Sequence, residues 1–227
     1  MSDSNAALLQ RGVIIEFDFA VLPGHSLLLE SCRERFAKEG IKMDEAILSR
    51  LMAGRTFSSG LNAFCAKRQT KIDVADVITT CYENFDSALQ QALSKPLPVG
   101  FVDFVKALLA KDIKVVLVSR VASEAVQAIF AEINNSKFVA MQDASAGFGF
   151  YSWDGWRRAA RKNDLRERLC VGVAGSGYSV KGALFAGMGV LAKANALVEY
   201  QDFSGCDVNI KAFAASLAED VARILRI

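Results

Sequence analysis

The order of strand and helix patterns is the feature that most constrains the fold of this 227-residue chain. A short apolar run, VIIEFDF (13–19), predicts a first buried strand. The next segment, 24–95, holds only helical patterns, and KPLPVG (95–100) follows it with two of the three prolines. From there onward, strand and helix patterns alternate. A strand separated from the rest of its sheet by helices predicts an α/β core with an inserted helical domain.

The later strand patterns are continuous apolar runs, which is typical of parallel strands that helices cover on both faces. They are IKVVLVS (113–119), KFVAMQD (137–143), LCVGVAG (169–175) and GVLAKA (189–194). Helical patterns such as GFVDFVKALLAKD (100–112) lie between them. We therefore expect a doubly wound parallel α/β core, residues 1–23 and 96–227, and an all-helical cap, residues 24–95.

Composition and charge argue against several classes of function. The formal net charge of +2 is too small to indicate nucleic acid or an anionic membrane as a partner. No apolar run approaches the length of a membrane span, and the N-terminus lacks the pattern of a signal peptide. The five cysteines form no CxxC pair and the chain has one histidine, so no zinc site is expected. We interpret this histidine, His25, as a surface residue in preference to a functional base. Unpaired thiols of this kind are typical of a cytoplasmic protein.

Three longer segments carry a family resemblance. They are MAGRTFSSGL (52–61), PVGFVDFVKALLAKDIKVVLVSR (98–120) and CVGVAGSGYSVKGALFAGMGVLA (170–192). Together with the order of the elements, they resemble the haloacid dehalogenase superfamily, in particular its helical-cap branch of β-phosphoglucomutase and phosphoglycolate phosphatase. The resemblance implies a hydrolase fold with a phosphatase-like site made of four motifs.

The first motif of that family supplies two aspartates. One, at the end of the first strand, attacks phosphorus beside Mg²⁺, and the other, two residues later, protonates the leaving oxygen. Without gaps, FDFAVLPGHS (17–26) places Asp18 at the nucleophile position and Ala20 at the position of the second aspartate. A rival register makes Glu16 the nucleophile and Asp18 the acid, but it loses the match of Ser26. We prefer the first register.

The other motifs also depart from the family pattern. Ser119 falls on the phosphate-binding hydroxyl of the second motif, and Arg120 follows it. The lysine of the third motif would lie at Phe150, and Ala174 and Gly175 stand where the fourth motif has its acids. The replacements therefore concentrate at charged positions of the site.

Few candidate site residues remain. Asp18 and Ser119 are the candidate catalytic residues, and Ser119, Arg120 and Ser176 are the candidate ligand-binding residues. Asp18 is also the one candidate carboxylate for a metal at the matching positions, whereas Mg²⁺ sites of this kind usually use more than one. We therefore expect no cofactor, or Mg²⁺ if the site is functional, and weak or absent phosphatase activity. Such a protein could bind a small anionic metabolite or a protein partner.

Two active alternatives stay open. The first is a divergent hydrolase that acts on a small phosphorylated or other acidic metabolite through Asp18. Its metal ligands would come from other acids, for which the candidates are Asp143, Asp154, Asp202 and Asp207. The second resembles dehalogenases, which lack the second aspartate, or phosphonoacetaldehyde hydrolases, which carry alanine at the position of Ala20. The latter use a cap lysine, for which the candidates are Lys38, Lys42 and Lys67.

Overall fold

A computed structural model of the protein describes residues 10–47, 57–68, 72–143 and 152–227. Its centre is a six-stranded parallel sheet of order β3-β2-β1-β4-β5-β6. The strands are Gly12–Glu16 (β1), Lys114–Ser119 (β2), Phe138–Gln142 (β3), Cys170–Ala174 (β4), Gly189–Ala192 (β5) and Val208–Asn209 (β6). The five strands predicted from apolar runs are confirmed with shorter bounds. The short edge strand β6 was not predicted, because its two residues give no apolar run.

The helices of the core cover both faces of the sheet. They are Phe101–Ala110 (α4), Ser123–Ile129 (α5), Trp153–Lys162 (α6), Gly177–Phe185 (α7) and Leu217–Leu225 (α8). Val13 and Ile15 of β1 join the apolar cluster that contains α4 and α8. Ile14 joins the cluster that contains α6 and α7. This alternation buries every residue of β1 and gives the doubly wound architecture expected from the sequence.

Three described helices lie between β1 and α4 and are here called the inserted helices. They are Gly24–Ala37 (α1), Phe57–Arg68 (α2) and Val74–Ala92 (α3). Apolar residues of α1 and α3 belong to the same cluster as one face of the sheet. Arg35 of α1 also binds Asp76 of α3 at 2.5 Å. The fold class is therefore an α/β core with inserted helices, while the domain boundaries at 23/24 and 95/96 stay predictions. No helix in the described part of the chain is long and apolar enough to cross a membrane.

The chain leaves β1 through a π-helical turn, Phe17–Val21, so the prediction of a strand over 13–19 was too long. The Leu22 N–H donates to the Phe17 carbonyl at 2.9 Å and closes the turn. The Phe17 ring packs between Phe101 and Phe130, with ring centroids 6.1 and 6.2 Å away. This packing favours the turn over a longer strand and brings Asp18 to the carboxyl edge of the sheet.

Candidate functional site

The Asp18 carboxylate lies beside the end of β2, and both of its oxygens accept hydrogen bonds. The Ser119 hydroxyl donates to Oδ1 at 2.5 Å, and the Arg120 N–H donates to Oδ2 at 2.8 Å. The Val121 N–H donates to Ser119 Oγ at 3.0 Å and fixes the hydroxyl. Asp18 is only 3% exposed. The structure therefore brings the two candidate catalytic residues together, but as hydrogen-bond partners of each other.

Burial dominates the electrostatics of Asp18. Loss of hydration raises the pKa of this carboxyl from 3.8 to about 6. The hydrogen bonds from Ser119 and Arg120 and the charge of Arg120 act in the opposite direction, whereas the negative charge of Asp86 adds to the rise in pKa. Asp18 is therefore a carboxylate that folding has made easier to protonate.

The side chain of Arg120 points to the inserted helices. Its Nε and Nη2 atoms donate to the two carboxylate oxygens of Asp86 in α3, at 2.5 and 2.8 Å. The guanidinium also lies over the ring of Tyr82, 4.6 Å from the centroid. Asp86 is thus the ion-pair partner of the Arg120 side chain. Its role as a ligand-binding residue stays a prediction.

Glu16 is a buried carboxylate that the sequence analysis weighed only as an alternative nucleophile. It accepts hydrogen bonds from the Gly175 N–H at 2.8 Å and from the Ser179 hydroxyl at 2.7 Å. Ser176, which is fully buried, caps α7 by accepting from the Ser179 N–H at 3.1 Å. The carboxylate of Glu16 thus compensates the partial positive charge at the N-terminus of α7. An acid inside an apolar strand, matched by a Ser-x-x-Ser pattern at a helix start, is the signal that could have indicated this role.

The π-helical turn fills the space next to Gly175. A Cβ atom at this position would lie 2.5 Å from the carbonyl carbon of Phe19 and 2.6 Å from its oxygen. Contacts of this length force the backbone to move. The local structure therefore accommodates glycine and excludes the acidic side chain that the family pattern has at this position.

The fold relates this chain to known structures. No protein-family model matches the sequence, and no curated protein matches it significantly. A β-phosphoglucomutase from Clostridium difficile has a TM-score of 0.71 at 13% identity, over 96% of this chain and 97% of that one. CbbY from Rhodobacter sphaeroides, in complex with phosphate, has a TM-score of 0.68 at 18% identity, over 90% and 95%. A haloacid dehalogenase-like protein of unknown function from Agrobacterium tumefaciens has a TM-score of 0.60 at 14% identity, over 94% and 99%.

This chain has the haloacid dehalogenase fold. The result confirms the fold predicted from the sequence motifs. Identities of 12 to 18% establish the common fold and leave the activity open.

The family resemblance predicted Mg²⁺ for a functional site, but the described residues do not fit this ion. Within the described ranges, no group of three or more His, Cys, Asp or Glu side chains could hold a metal. Both oxygens of Asp18 already accept hydrogen bonds, and Gly175 has no room for a side chain. Mg²⁺ requires a nearly octahedral oxygen shell, which one engaged carboxylate does not supply.

The acids considered for a divergent hydrolase have other partners. Asp143 and Asp154 bind Arg158, with N–O distances of 2.9 and 3.4 Å. Asp202 binds Lys181 at 2.9 Å, and Asp207 accepts a hydrogen bond from the Val190 N–H at 2.7 Å. Phe150, at the position of the family lysine, lies outside the described residues, as do residues 52–56 of the cap segment.

His25 is fully buried, so its interpretation as a surface residue was wrong. It follows the π-helical turn at the start of α1, and its ring lies 4.8 Å from the ring of Phe19. The side-chain amide nitrogen of Asn195 lies 2.9 Å from Nδ1. Burial lowers the pKa of His25 to about 3, so the imidazole is neutral at physiological pH. Sequence pattern could not show this, because the inward direction of His25 depends on the geometry of the turn.

Proposed function

We propose that this haloacid dehalogenase-fold protein has little or no phosphatase activity, and that Asp18 has become a structural carboxylate. The observation that carries the proposal is the engagement of both Asp18 oxygens, by the Ser119 hydroxyl and the Arg120 N–H. A nucleophilic carboxylate must present an oxygen to phosphorus in line, and Asp18 is only 3% exposed. Here each oxygen is a hydrogen-bond acceptor in a closed, buried arrangement.

The charges around Asp18 support the same proposal. Phosphoryl transfer requires cations and donors aimed at the transferred group. The guanidinium of Arg120 binds Asp86, and Ala20 has no proton to give a leaving group. Because Gly175 packs on the π-helical turn, a carboxylate at this position would require the backbone to rearrange. At these three positions, the groups that would assist phosphoryl transfer are therefore engaged elsewhere or replaced.

One observation favours the alternative, a divergent hydrolase that acts through Asp18. The pKa of this carboxyl is raised to about 6, and strongly perturbed pKa values are often found at functional sites. Burial is the main cause of the rise, however, and structural carboxylates show it as well. A lysine-dependent reaction has weaker support, since Lys38, Lys42 and Lys67 are all exposed and lack the desolvation that activates a lysine.

Hydrolysis assays test the proposal directly. We expect purified protein to release no phosphate from p-nitrophenyl phosphate, or from a panel of sugar and glycolytic phosphomonoesters, above the rate of the Asp18→Asn variant with Mg²⁺ present. The exposed Asp103→Asn variant is the matched control for contaminating phosphatase. Activity that depends on Mg²⁺, is retained by Asp103→Asn and is lost in Asp18→Asn would refute the proposal and establish the divergent hydrolase.

A further inference from the structure

Basic residues cluster at the amino edge of the sheet, opposite the edge where Asp18 lies. Arg11 directly precedes β1, and Lys114 is the first residue of β2. The Lys114 N–H donates to the Arg11 carbonyl at 3.0 Å, so these two residues are neighbours. Because parallel strands all begin at the same edge, the segments that enter β1, β2 and β4 meet here.

The end of α6 and the turn before β4 bring further basic residues to this edge. The Lys114 ammonium donates to the carbonyl of Asn163, the residue that follows α6, at 2.8 Å. The thiol of Cys170, the first residue of β4, donates to the Arg166 carbonyl at 3.2 Å. Both Cys170 and Lys114 pair with Gly12 of β1. We call the resulting group the basic surface, and it consists of Arg11, Arg157, Arg161, Lys162, Arg166 and Arg168.

One carboxylate of the chain already binds two arginines of the basic surface. Oε1 of Glu167 lies 3.4 Å from Nε of Arg157 and 3.2 Å from Nε of Arg161. Guanidinium groups pair well with carboxylates, because their N–H donors are fixed in one plane and always charged. The surface is therefore built to hold carboxylates, and Glu167 shows one such contact.

The neighbouring basic residues have no acid of their own. Lys162 and Arg168 are exposed and Arg166 is half-buried, and none of the three makes an ion pair with a described residue. Besides Glu167, the sequence from 157 to 168 contains one acid, Asp164. The basic surface is thus strongly positive, although the formal net charge of the whole chain is only +2.

Arg11 supplies an independent observation. Its Nε atom is buried and has no hydrogen-bond partner among the described residues, although the residue as a whole is only half-buried. A buried polar atom without a partner is unfavourable. A carboxylate brought to the Arg11 guanidinium by another molecule would remove this cost.

We propose that the basic surface binds an acidic segment of a partner protein. Lys162, Arg166 and Arg168 bind carboxylates of that segment in the way that Arg157 and Arg161 bind Glu167, and Arg11 binds a further one. A peptide can place its carboxylates at intervals, between Asp164 and Glu167. A nucleic acid fits less well, because its backbone places a phosphate at every step and these two acids would repel it.

The basic surface is separate from the site of Asp18. Strand β1 lies between them, since Arg11 precedes this strand and Asp18 follows it. Binding at the amino edge therefore uses no group of the Asp18 cluster. The inference goes beyond the absence of phosphatase activity and does not depend on it.

Fluorescence anisotropy with labelled octaglutamate tests the proposal at about 0.15 M ionic strength, where long-range charge effects are screened. We expect saturable binding of octaglutamate and none of octaglutamine, which has the same length and no charge. The Arg166→Gln/Arg168→Gln double variant should weaken binding about tenfold, since it removes two exposed charge pairs. The matched control is Lys38→Gln/Lys42→Gln, which changes the net charge equally at exposed positions outside the core and should bind as the wild type does. Circular dichroism establishes that both variants are folded.

Four outcomes would overturn the inference. The first two are no saturable binding of octaglutamate and unchanged affinity in Arg166→Gln/Arg168→Gln. The third is equal weakening in both double variants, which would show a response to net charge alone. The fourth is tighter binding of labelled octauridylate than of octaglutamate, which would assign the surface to nucleic acid. Since no step of this assay involves hydrolysis, failure of the basic surface and failure of the proposed function are distinguishable.

Discussion

The guanidinium of Arg120 binds the carboxylate of Asp86 through two hydrogen bonds, and this pair joins the end of β2 to the inserted helix α3. The Arg120 side chain is 7% exposed and that of Asp86 is 46% exposed, so the pair lies at the edge of solvent. The backbone N–H of Arg120 donates to Asp18 at the same time. One residue therefore holds the Asp18 carboxylate with its main chain and the inserted helices with its side chain.

Replacement of Arg120 should loosen the inserted helices. Breaking a fully buried ion pair costs about 3–5 kcal/mol. Because Asp86 can regain water, we expect Arg120→Ala to lower the free energy of unfolding by about 2 kcal/mol in urea denaturation, and to speed proteolysis within residues 24–95. Arg223→Ala, which removes an exposed pair with Asp220, should cost under about 1 kcal/mol. Equal losses in the two variants would show that the Arg120 pair contributes little.

Restoring an acid at position 175 should destabilise the protein without creating a metal site. A Cβ atom there meets the backbone of Phe19 at 2.5 Å, and the Gly175 N–H already donates to Glu16. We expect Gly175→Ala to cost about 1–3 kcal/mol through overpacking, and Gly175→Asp to cost more, since it adds a charge near buried Glu16. Thermal unfolding measures the loss of stability in both variants, and calorimetry tests whether Gly175→Asp binds Mg²⁺.

Ala128→Asp is the control for the position 175 variants, since it adds an acid at an exposed site of α5 and should cost about 0.5 kcal/mol. A Gly175→Asp variant with wild-type stability and a new Mg²⁺ affinity would contradict the steric argument. It would show that the π-helical turn can move, and that the site retains more of the family geometry than its contacts indicate.

The sequence predicted the sheet well because each parallel strand is a continuous apolar run between helices. The motif matches also assigned Asp18 and Ser119 to one site, and the structure brings the two side chains together. The sequence could not predict the π-helical turn, because the packing of Phe17 between two distant phenylalanines decides where β1 ends.

The interaction partners of the charged residues could not be predicted from the sequence either. Arg120 and Asp86 are 34 residues apart, and Glu16 and Gly175 are 159 residues apart. Such pairs depend on how the inserted helices and α7 meet the sheet, which local pattern does not specify. Single-residue matches to a motif therefore predicted which positions belong to the candidate site. The hydrogen-bond and ion-pair partners of those residues could be found only from the structure.

Asp18 should make stability fall as the pH rises from about 4 to 6. Its pKa is 3.8 in the unfolded chain and about 6 when folded, so the folded state binds more protons in this range. The slope can reach about 1.4 kcal/mol per pH unit. We expect Asp18→Asn to remove this contribution, so that its unfolding free energy rises more steeply with pH than that of the wild type. Urea denaturation at several pH values measures both slopes, and parallel curves would contradict the shift.

His25 should make stability change with pH in the opposite direction to Asp18, over an overlapping pH range. Its pKa is 6.5 when unfolded and about 3 when folded, so the unfolded chain binds more protons between these values, and stability is lost as the pH falls through that range. His25→Gln, which can keep a hydrogen bond to Asn195, should therefore lose less stability than the wild type between pH 6.5 and 4, whatever its cost at pH 7. Denaturation curves of the two proteins measure this difference. An equal loss on acidification would mean that His25 gains a proton inside the folded protein, and that its surroundings are open to water.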